Sequence, residues 1–117
     1  MVEKHRYLIC HLDDINSSGS VGFSVEHEGS FLEGFVVRAK NEVMAYQNHC
    51  PHTGASLNWA PDQFLTTDAD FIQCGIHGAL FRLNDGFCVR GPCIGKKLKN
   101  IDVSLESGQV FVDLRSK

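Results

Sequence analysis

Apolar runs of four to ten residues, separated by turn residues, predict that this chain folds mainly as β-strands. Residues 31–40 are rich in Phe and Val, and Asn41-Glu42 separates them from the apolar run 43–46, which indicates a hairpin. Residues 101–105 alternate apolar and polar side chains, and after a Ser-Gly turn Val110, Val112 and Leu114 recur at every second position. This alternation predicts a second, C-terminal hairpin with one buried face.

Turn signals organise the remaining segments. Residues 79–83 and 87–89 flank Asn84-Asp85-Gly86, a strong tight-turn sequence, and are expected to pair. The polar, glycine-containing stretch 13–22 indicates a surface loop, and 58–70 indicates an irregular segment with one helical turn at most. No segment shows a sustained helical apolar period, so the predicted fold class is all-β.

Length and charge limit what the chain can be. Its 117 residues suit one domain, 1–117, and 43% hydrophobic residues can form a small core. A net charge of −3 provides no basic field for nucleic acid or an anionic membrane. The N-terminus lacks the apolar core of a signal peptide, and no apolar run approaches the roughly 20 residues that span a bilayer. We therefore expect a soluble, cytoplasmic protein.

Five cysteines are an odd number, which fits a disulfide framework poorly. Cys10 lies in a strand-like run and is expected to be a small buried hydrophobe. Cys88 and Cys93 lie on either side of Gly91-Pro92, and a reducing cytosol makes packing the favoured role for both.

Two mixed pairs of metal-binding residues stand out: Cys50-Pro51-His52 and Cys74-Gly75-Ile76-His77. A Gly-Ala follows each pair closely, and the strand-like runs 43–47 and 71–73 precede them. Thiolates are soft anionic ligands and imidazoles are neutral borderline ones, so the pattern predicts a metal centre with two of each. Gly54, Gly75 and Gly78 would let backbone N–H groups approach a negatively charged centre.

A structural zinc site is the alternative, because two cysteines and two histidines satisfy tetrahedral Zn²⁺. Zinc sites usually place like ligands together, as C-x-x-C followed later by a pair of histidines. Here each loop supplies one residue of each kind, which favours a different centre.

Residues 48–57 and 73–81 resemble the two ligand loops of Rieske-type ferredoxins, and Gly91-Pro92 resembles the proline loop that covers the cluster in that family. The resemblance implies a Rieske 2Fe–2S cluster, with Cys50 and Cys74 on one iron and His52 and His77 on the other. It also implies an antiparallel β-sandwich with an inserted cluster-binding subdomain, here about residues 45–93.

Some positions differ from those of high-potential Rieske proteins. Ala55 and Ile76 stand where those proteins have the cysteines of a loop-joining disulfide, and Ala79 and Phe81 stand where they have serine and tyrosine hydroxyls. Without hydroxyls to donate to the sulfurs, the reduction potential should lie near the low end of the Rieske range, about −150 mV.

The resemblance implies a non-catalytic electron carrier between a flavin-dependent reductase and a terminal oxygenase or reductase. The alternative is a small electron-transfer subunit of a larger reductase, such as assimilatory nitrite reductase. Catalysis by this chain itself is not expected, because the 40 residues after His77 contain no histidine for a mononuclear iron site. The other histidines, at positions 5, 11, 27 and 49, are expected to be surface or hydrogen-bonded residues.

Overall fold

The computed structural model describes residues 4–15, 19–39, 42–49, 51, 57, 62–66, 68, 70–74 and 78–115. Within these ranges the chain forms nine β-strands and one short 3₁₀ turn, Leu12–Asp14. The strands are β1 (Lys4–His11), β2 (Ser20–His27), β3 (Ser30–Ala39), β4 (Glu42–Gln47), β5 (Phe71–Gln73), β6 (Leu80–Arg82), β7 (Cys88–Arg90), β8 (Asn100–Glu106) and β9 (Gln109–Arg115).

The strands form two antiparallel sheets. The larger has six strands in the order β1-β9-β8-β4-β3-β2, and the smaller has three in the order β5-β6-β7. Strands β4 and β8 are neighbours in the larger sheet, yet all three strands of the smaller sheet lie between them in sequence. The smaller sheet is therefore an insertion into the larger one, and the predicted all-β, antiparallel class is confirmed.

All three predicted hairpins are present. Strands β3 and β4 pair up to Ala39 opposite Glu42, and β8 and β9 pair from Asp102 to Gln109. Strands β6 and β7 pair around a turn in which Gly86 has a φ of +72°. A side chain at Gly86 would also lie within 2.9 Å of the Tyr46 ring, so both conformation and space require glycine there.

The prediction of a loop over residues 13–22 is wrong at its C-terminal end, because β2 already begins at Ser20. Gly22 lies within this strand with its N–H donated to the Asp62 side chain at 2.8 Å, and the Phe64 ring packs 3.3 Å from its missing Cβ. The glycine that suggested a loop instead makes room for an aromatic ring. In the described parts of 58–70 there is no helical turn, and Leu65 forms a β-bridge with Ile72.

Strands β3 and β4 are buried on both faces and separate two hydrophobic cores. Phe35 and Val37 face the core shared with the smaller sheet. Val36 faces the other core, which is formed mainly by residues of the larger sheet. Tyr46 and Ala45 divide between the two cores in the same way. A strand buried on both faces has a continuous apolar sequence, which explains the Phe-Val-Val run of β3.

Aromatic contacts join the inserted sheet to the larger one. The rings of Phe35 and Phe64 stack with centroids 4.3 Å apart. The Tyr46 hydroxyl donates to the carbonyl of Leu83 at 2.7 Å, in the turn between β6 and β7. Burial, with a smaller contribution from Asp85, raises the pKa of Tyr46 to about 12. These contacts fix the inserted sheet relative to its base.

Membrane-spanning helices were not expected, and in the part of the chain that the structure describes no helix is long and apolar enough to cross a bilayer.

Candidate metal centre

Cys74 lies at the end of β5 on a closed turn. Its N–H donates to the carbonyl of Ala79 at 2.9 Å, and its own carbonyl accepts the N–H of Gly78 at 2.9 Å. Gly78 has a φ of +68°, and no heavy atom lies within 4 Å of the place where a Cβ would be. Glycine is therefore needed at this position for backbone conformation and not for space. Cys74 is fully buried at the base of this turn, and His77 lies outside the described residues.

Asn48 ties together the two ends of the segment that carries the first predicted pair. Its N–H donates to the carbonyl of Glu33 at 3.0 Å, and its side-chain oxygen accepts the N–H of Leu57 at 2.7 Å. Leu57 is fully buried, so this hydrogen bond joins Asn48 to a residue of the core. Cys50 and His52 lie between these anchors and outside the described residues. Sequence reasoning missed the role of Asn48, although an asparagine just before a loop is a known local hydrogen-bonding signal.

The Gly91-Pro92 loop lies directly against the turn that contains Cys74. Gly91 has a φ of +99°, and a Cβ on it would be 2.8 Å from the Cα of Ala79 and 3.1 Å from its Cβ. The loop also folds back on β7, because Cys88 N–H donates to Lys96 O at 2.9 Å and Lys96 N–H donates to Cys93 O at 2.8 Å. This backbone contact and these hydrogen bonds hold residues 91–96, here called the cover loop, against the turn that contains Cys74.

The four predicted ligands are not all placed by the structure. Among the described residues, no group of three His, Cys, Asp or Glu side chains could hold a metal ion. Of the predicted ligands, Cys50, His52 and His77 lie outside those residues, so the ligand set remains a prediction. Cys74, the predicted ligand that the structure places, is fully buried directly after β5, and its sulfur is of the soft type that suits such a centre.

The remaining cysteines behave as expected of packing residues, with one difference. Cys88 and Cys93 are fully buried in the same core as Cys74, and Cys88 Sγ donates to the carbonyl of Arg90 at 3.2 Å. None of the described cysteines forms a disulfide bond. Cys10, expected to be a small buried hydrophobe, is only partly buried but packs against the core of the larger sheet. Burial raises the pKa of its thiol, which makes it a poor nucleophile.

Ala79 and Phe81 are both fully buried beside this site. Phe81 belongs to the core that contains Cys74, and Ala79 lies between the Cys74 turn and Gly91. Neither residue carries a hydroxyl, so neither side chain can donate a hydrogen bond to a sulfur atom.

The other histidines agree with their predicted surface or hydrogen-bonded roles. His49 and His11 are exposed. His27 Nδ1 lies 2.8 Å from the Tyr7 hydroxyl, and the ring of His5 packs edge-on against His27 at 5.3 Å. These contacts join the two edge strands of the larger sheet, β1 and β2.

Comparison with known protein families gives a match over most of the chain. A family model described as "Rieske [2Fe-2S] domain" matches residues 5–107. No curated protein matches the sequence significantly.

Solved structures similar to this chain include ferredoxins and an oxygenase. The ferredoxin of carbazole 1,9a-dioxygenase from Nocardioides aromaticivorans IC177 has a TM-score of 0.70 and 23% identity, with 92% of this chain and 95% of that chain covered. A chain in a complex of reduced oxygenase and oxidized ferredoxin in carbazole 1,9a-dioxygenase has a TM-score of 0.71 and 25% identity, with 92% and 91% covered. The terminal oxygenase of carbazole 1,9a-dioxygenase from Novosphingobium sp. KA1 has a TM-score of 0.75 and 24% identity, with 92% of this chain but 29% of that chain covered.

Proposed function

Since the chain belongs to the Rieske 2Fe–2S domain family, we propose that it is a non-catalytic electron carrier that passes single electrons to a terminal oxygenase. A Rieske-type 2Fe–2S cluster is the cofactor that this family implies. The family match over residues 5–107 is the observation that carries the proposal.

Cys50 and Cys74 would hold one iron, and His52 and His77 would hold the other. The sequence motifs support this assignment, as does the closed turn that fixes Cys74 in the core. When bound, the cluster supplies one-electron chemistry at its iron atoms.

The protein's own residues orient and shield this centre. Asn48 fixes the ends of the first ligand segment, and Gly91 brings the cover loop against Ala79. The burial of Ala79 and Phe81 removes water from this side and supplies no hydroxyl donor. Hydrogen-bond donors to sulfur stabilise the added electron and so raise the reduction potential. Since Ala79 and Phe81 supply no such donor, we assign a reduction potential near the low end of the Rieske range, about −150 mV.

A flavin-dependent reductase is the proposed electron donor and a terminal oxygenase the proposed acceptor. The assignment of an oxygenase as acceptor is supported by the similar chain found in a complex of oxygenase and ferredoxin in carbazole 1,9a-dioxygenase. We assign the protein to the cytoplasm, because the described cysteines form no disulfide bonds and a reducing compartment keeps thiols in that state.

The test is a complete electron-transfer cycle. The purified chain, loaded with its cluster, is mixed anaerobically with NADH and the reductase of carbazole 1,9a-dioxygenase, and then with the oxidised terminal oxygenase. We expect bleaching of the cluster absorption in the first step and its recovery in the second. A Cys74→Ala variant is the control that should show neither change. A loaded cluster that is reduced but never reoxidised by the oxygenase would contradict the proposed role.

A further inference from the structure

Positive charge is concentrated in one segment of this acidic chain. Residues 86–101 contain four basic side chains and no acidic one. The rest of the chain contains seven basic and fourteen acidic residues. The segment therefore carries +4 within a chain of net charge −3.

The basic side chains are exposed and are interleaved with exposed apolar ones. Arg90, Lys96, Lys97 and Lys99 are all exposed. Between them, Val89 is 41% exposed and Ile94 is 66% exposed. Exposed apolar groups beside exposed charged ones are a composition that protein–protein interfaces use.

This segment borders the candidate metal centre. Gly91 touches the backbone of Ala79, which closes the turn of Cys74. The hydrogen bonds of the cover loop hold Ile94 and Lys96 in place, through Ile94 N–H to Gly91 O and Lys96 N–H to Cys93 O. The charged surface is thus a fixed part of the cover and not a loose tail.

One neighbouring acid reduces the positive charge only in part. Asp85 interacts with Lys97, which helps to lower the pKa of the Asp85 carboxyl. The main cause of that shift is Arg82, which forms an ion pair with Asp85. Asp85 is therefore already matched by Arg82, and the positive charge of the segment persists.

We propose that this basic docking surface, formed by Val89, Arg90, Pro92, Ile94, Lys96, Lys97 and Lys99, docks an acidic redox protein that reduces the cluster. The surface would hold the partner's reduced centre beside the bound cluster, which would accept one electron from it with no bond made or broken. The inference rests on the proposed electron-carrier function. Complementary charge would accelerate encounter, and the apolar residues would exclude water beside the cluster.

Stopped-flow reduction of the loaded chain by two small proteins tests this. Reduced plant-type ferredoxin is an acidic donor with a potential of about −400 mV, which is low enough to reduce a Rieske cluster. Oxidation of the reduced chain by the basic protein cytochrome c is the comparison. Each rate is measured from low to high ionic strength, across which the Debye length falls from about 30 Å at 0.01 M to about 3 Å at 1 M.

The variants are a triple glutamine substitution, Lys96→Gln with Lys97→Gln and Lys99→Gln, and the same three positions changed to Arg. Single variants Lys97→Gln and Arg6→Gln form a second matched pair, because each removes one exposed positive charge. Arg6 pairs with Glu106 at the far end of β8, about 20 Å from Lys99 at roughly 3.3 Å per strand residue.

We expect the rate with plant-type ferredoxin to fall as salt rises and to fall roughly tenfold in the triple glutamine variant at low salt. The arginine variant and Arg6→Gln should keep the original rate, and oxidation by cytochrome c should not slow in any lysine variant. A rate with ferredoxin that rises with salt, or that is unchanged by the glutamine substitutions, would overturn the proposal. Saturable binding to duplex DNA that is lost in the glutamine variant would also overturn it, by assigning the surface to nucleic acid. A chain that never acquires a cluster would instead contradict the proposed function.

Discussion

The contact between Gly91 and Ala79 gives a sharp test of how the cover loop is held over the cluster. Replacing Gly91 by Ala has two costs: a φ of +99° that alanine avoids, and a Cβ 2.8 Å from the Cα of Ala79. Gly95 is a matched control in the same loop. Its φ is +93°, but nothing lies within 4 Å of the position of its Cβ. The difference between the two alanine variants therefore isolates the steric contact.

The magnitudes can be estimated separately. Forcing alanine into this backbone region should cost about 1–3 kcal/mol in either variant. Overpacking against the Ala79 backbone should add about 1–3 kcal/mol in Gly91→Ala alone. If the separation of the loop from the turn limits cluster release, this added cost corresponds to cluster loss about 5 to 150 times faster than in Gly95→Ala.

The measurement is the rate at which the visible absorption of the cluster bleaches at a fixed guanidinium concentration under anaerobic conditions. We expect Gly95→Ala to bleach moderately faster than the unmodified chain, and Gly91→Ala to bleach faster than both. The reduction potential of Gly91→Ala should also shift, while that of Gly95→Ala should not. Equal bleaching rates and equal potentials in the two variants would refute the role assigned to this contact.

Three further predictions concern the ligands, the tyrosine that joins the sheets and the potential. Cys74→Ala should abolish the cluster and weaken folding, whereas Cys88→Ala should retain it; iron analysis of both purified variants decides this. The free energy of unfolding should be maintained below pH 10 and fall by roughly 2–3 kcal/mol as the pH rises from 10 through about 12, because only the folded state raises the pKa of Tyr46. The Tyr46→Phe variant should have a free energy of unfolding about 1 kcal/mol lower at neutral pH and should lack the alkaline loss. Chemical denaturation of both proteins at neutral and alkaline pH checks this, and an equal alkaline loss in the variant would contradict it. Ala79→Ser with Phe81→Tyr should raise the reduction potential measured by redox titration, and no rise in a variant whose hydroxyls reach sulfur would disprove the explanation.

Local patterns were sufficient to predict the hairpins, because each combines two strand-like runs, either continuous or alternating, with a short turn sequence between them. Strand β2 was not predicted because the polar, glycine-containing stretch 13–22 indicates a loop, although Val21, Phe23 and Val25 alternate with glycine and polar residues as in a strand. The reason for Gly22 is the ring of Phe64, which is 42 residues away in sequence. Such a close approach leaves no signal in the segment itself.

At the candidate metal centre, too, some features can be predicted from the sequence and others depend on contacts that only the folded chain shows. Residue type and spacing alone predicted Cys74 and its partners, since metal ligands must be particular side chains. The contributions of Asn48 and Gly91 depend on contacts with Leu57 and Ala79, which only the folded chain brings together. The resemblance predicts that Gly91-Pro92 covers the cluster, but the backbone contact of Gly91 with Ala79 could not be predicted.

Metal analysis combined with electron spin resonance tests the central claim most directly. The chain, purified without oxygen, should be red-brown and contain two irons and two sulfides. After reduction it should give a Rieske-type signal with a low average g value. A colourless protein that contains one zinc ion per chain and gives no such signal would contradict the account.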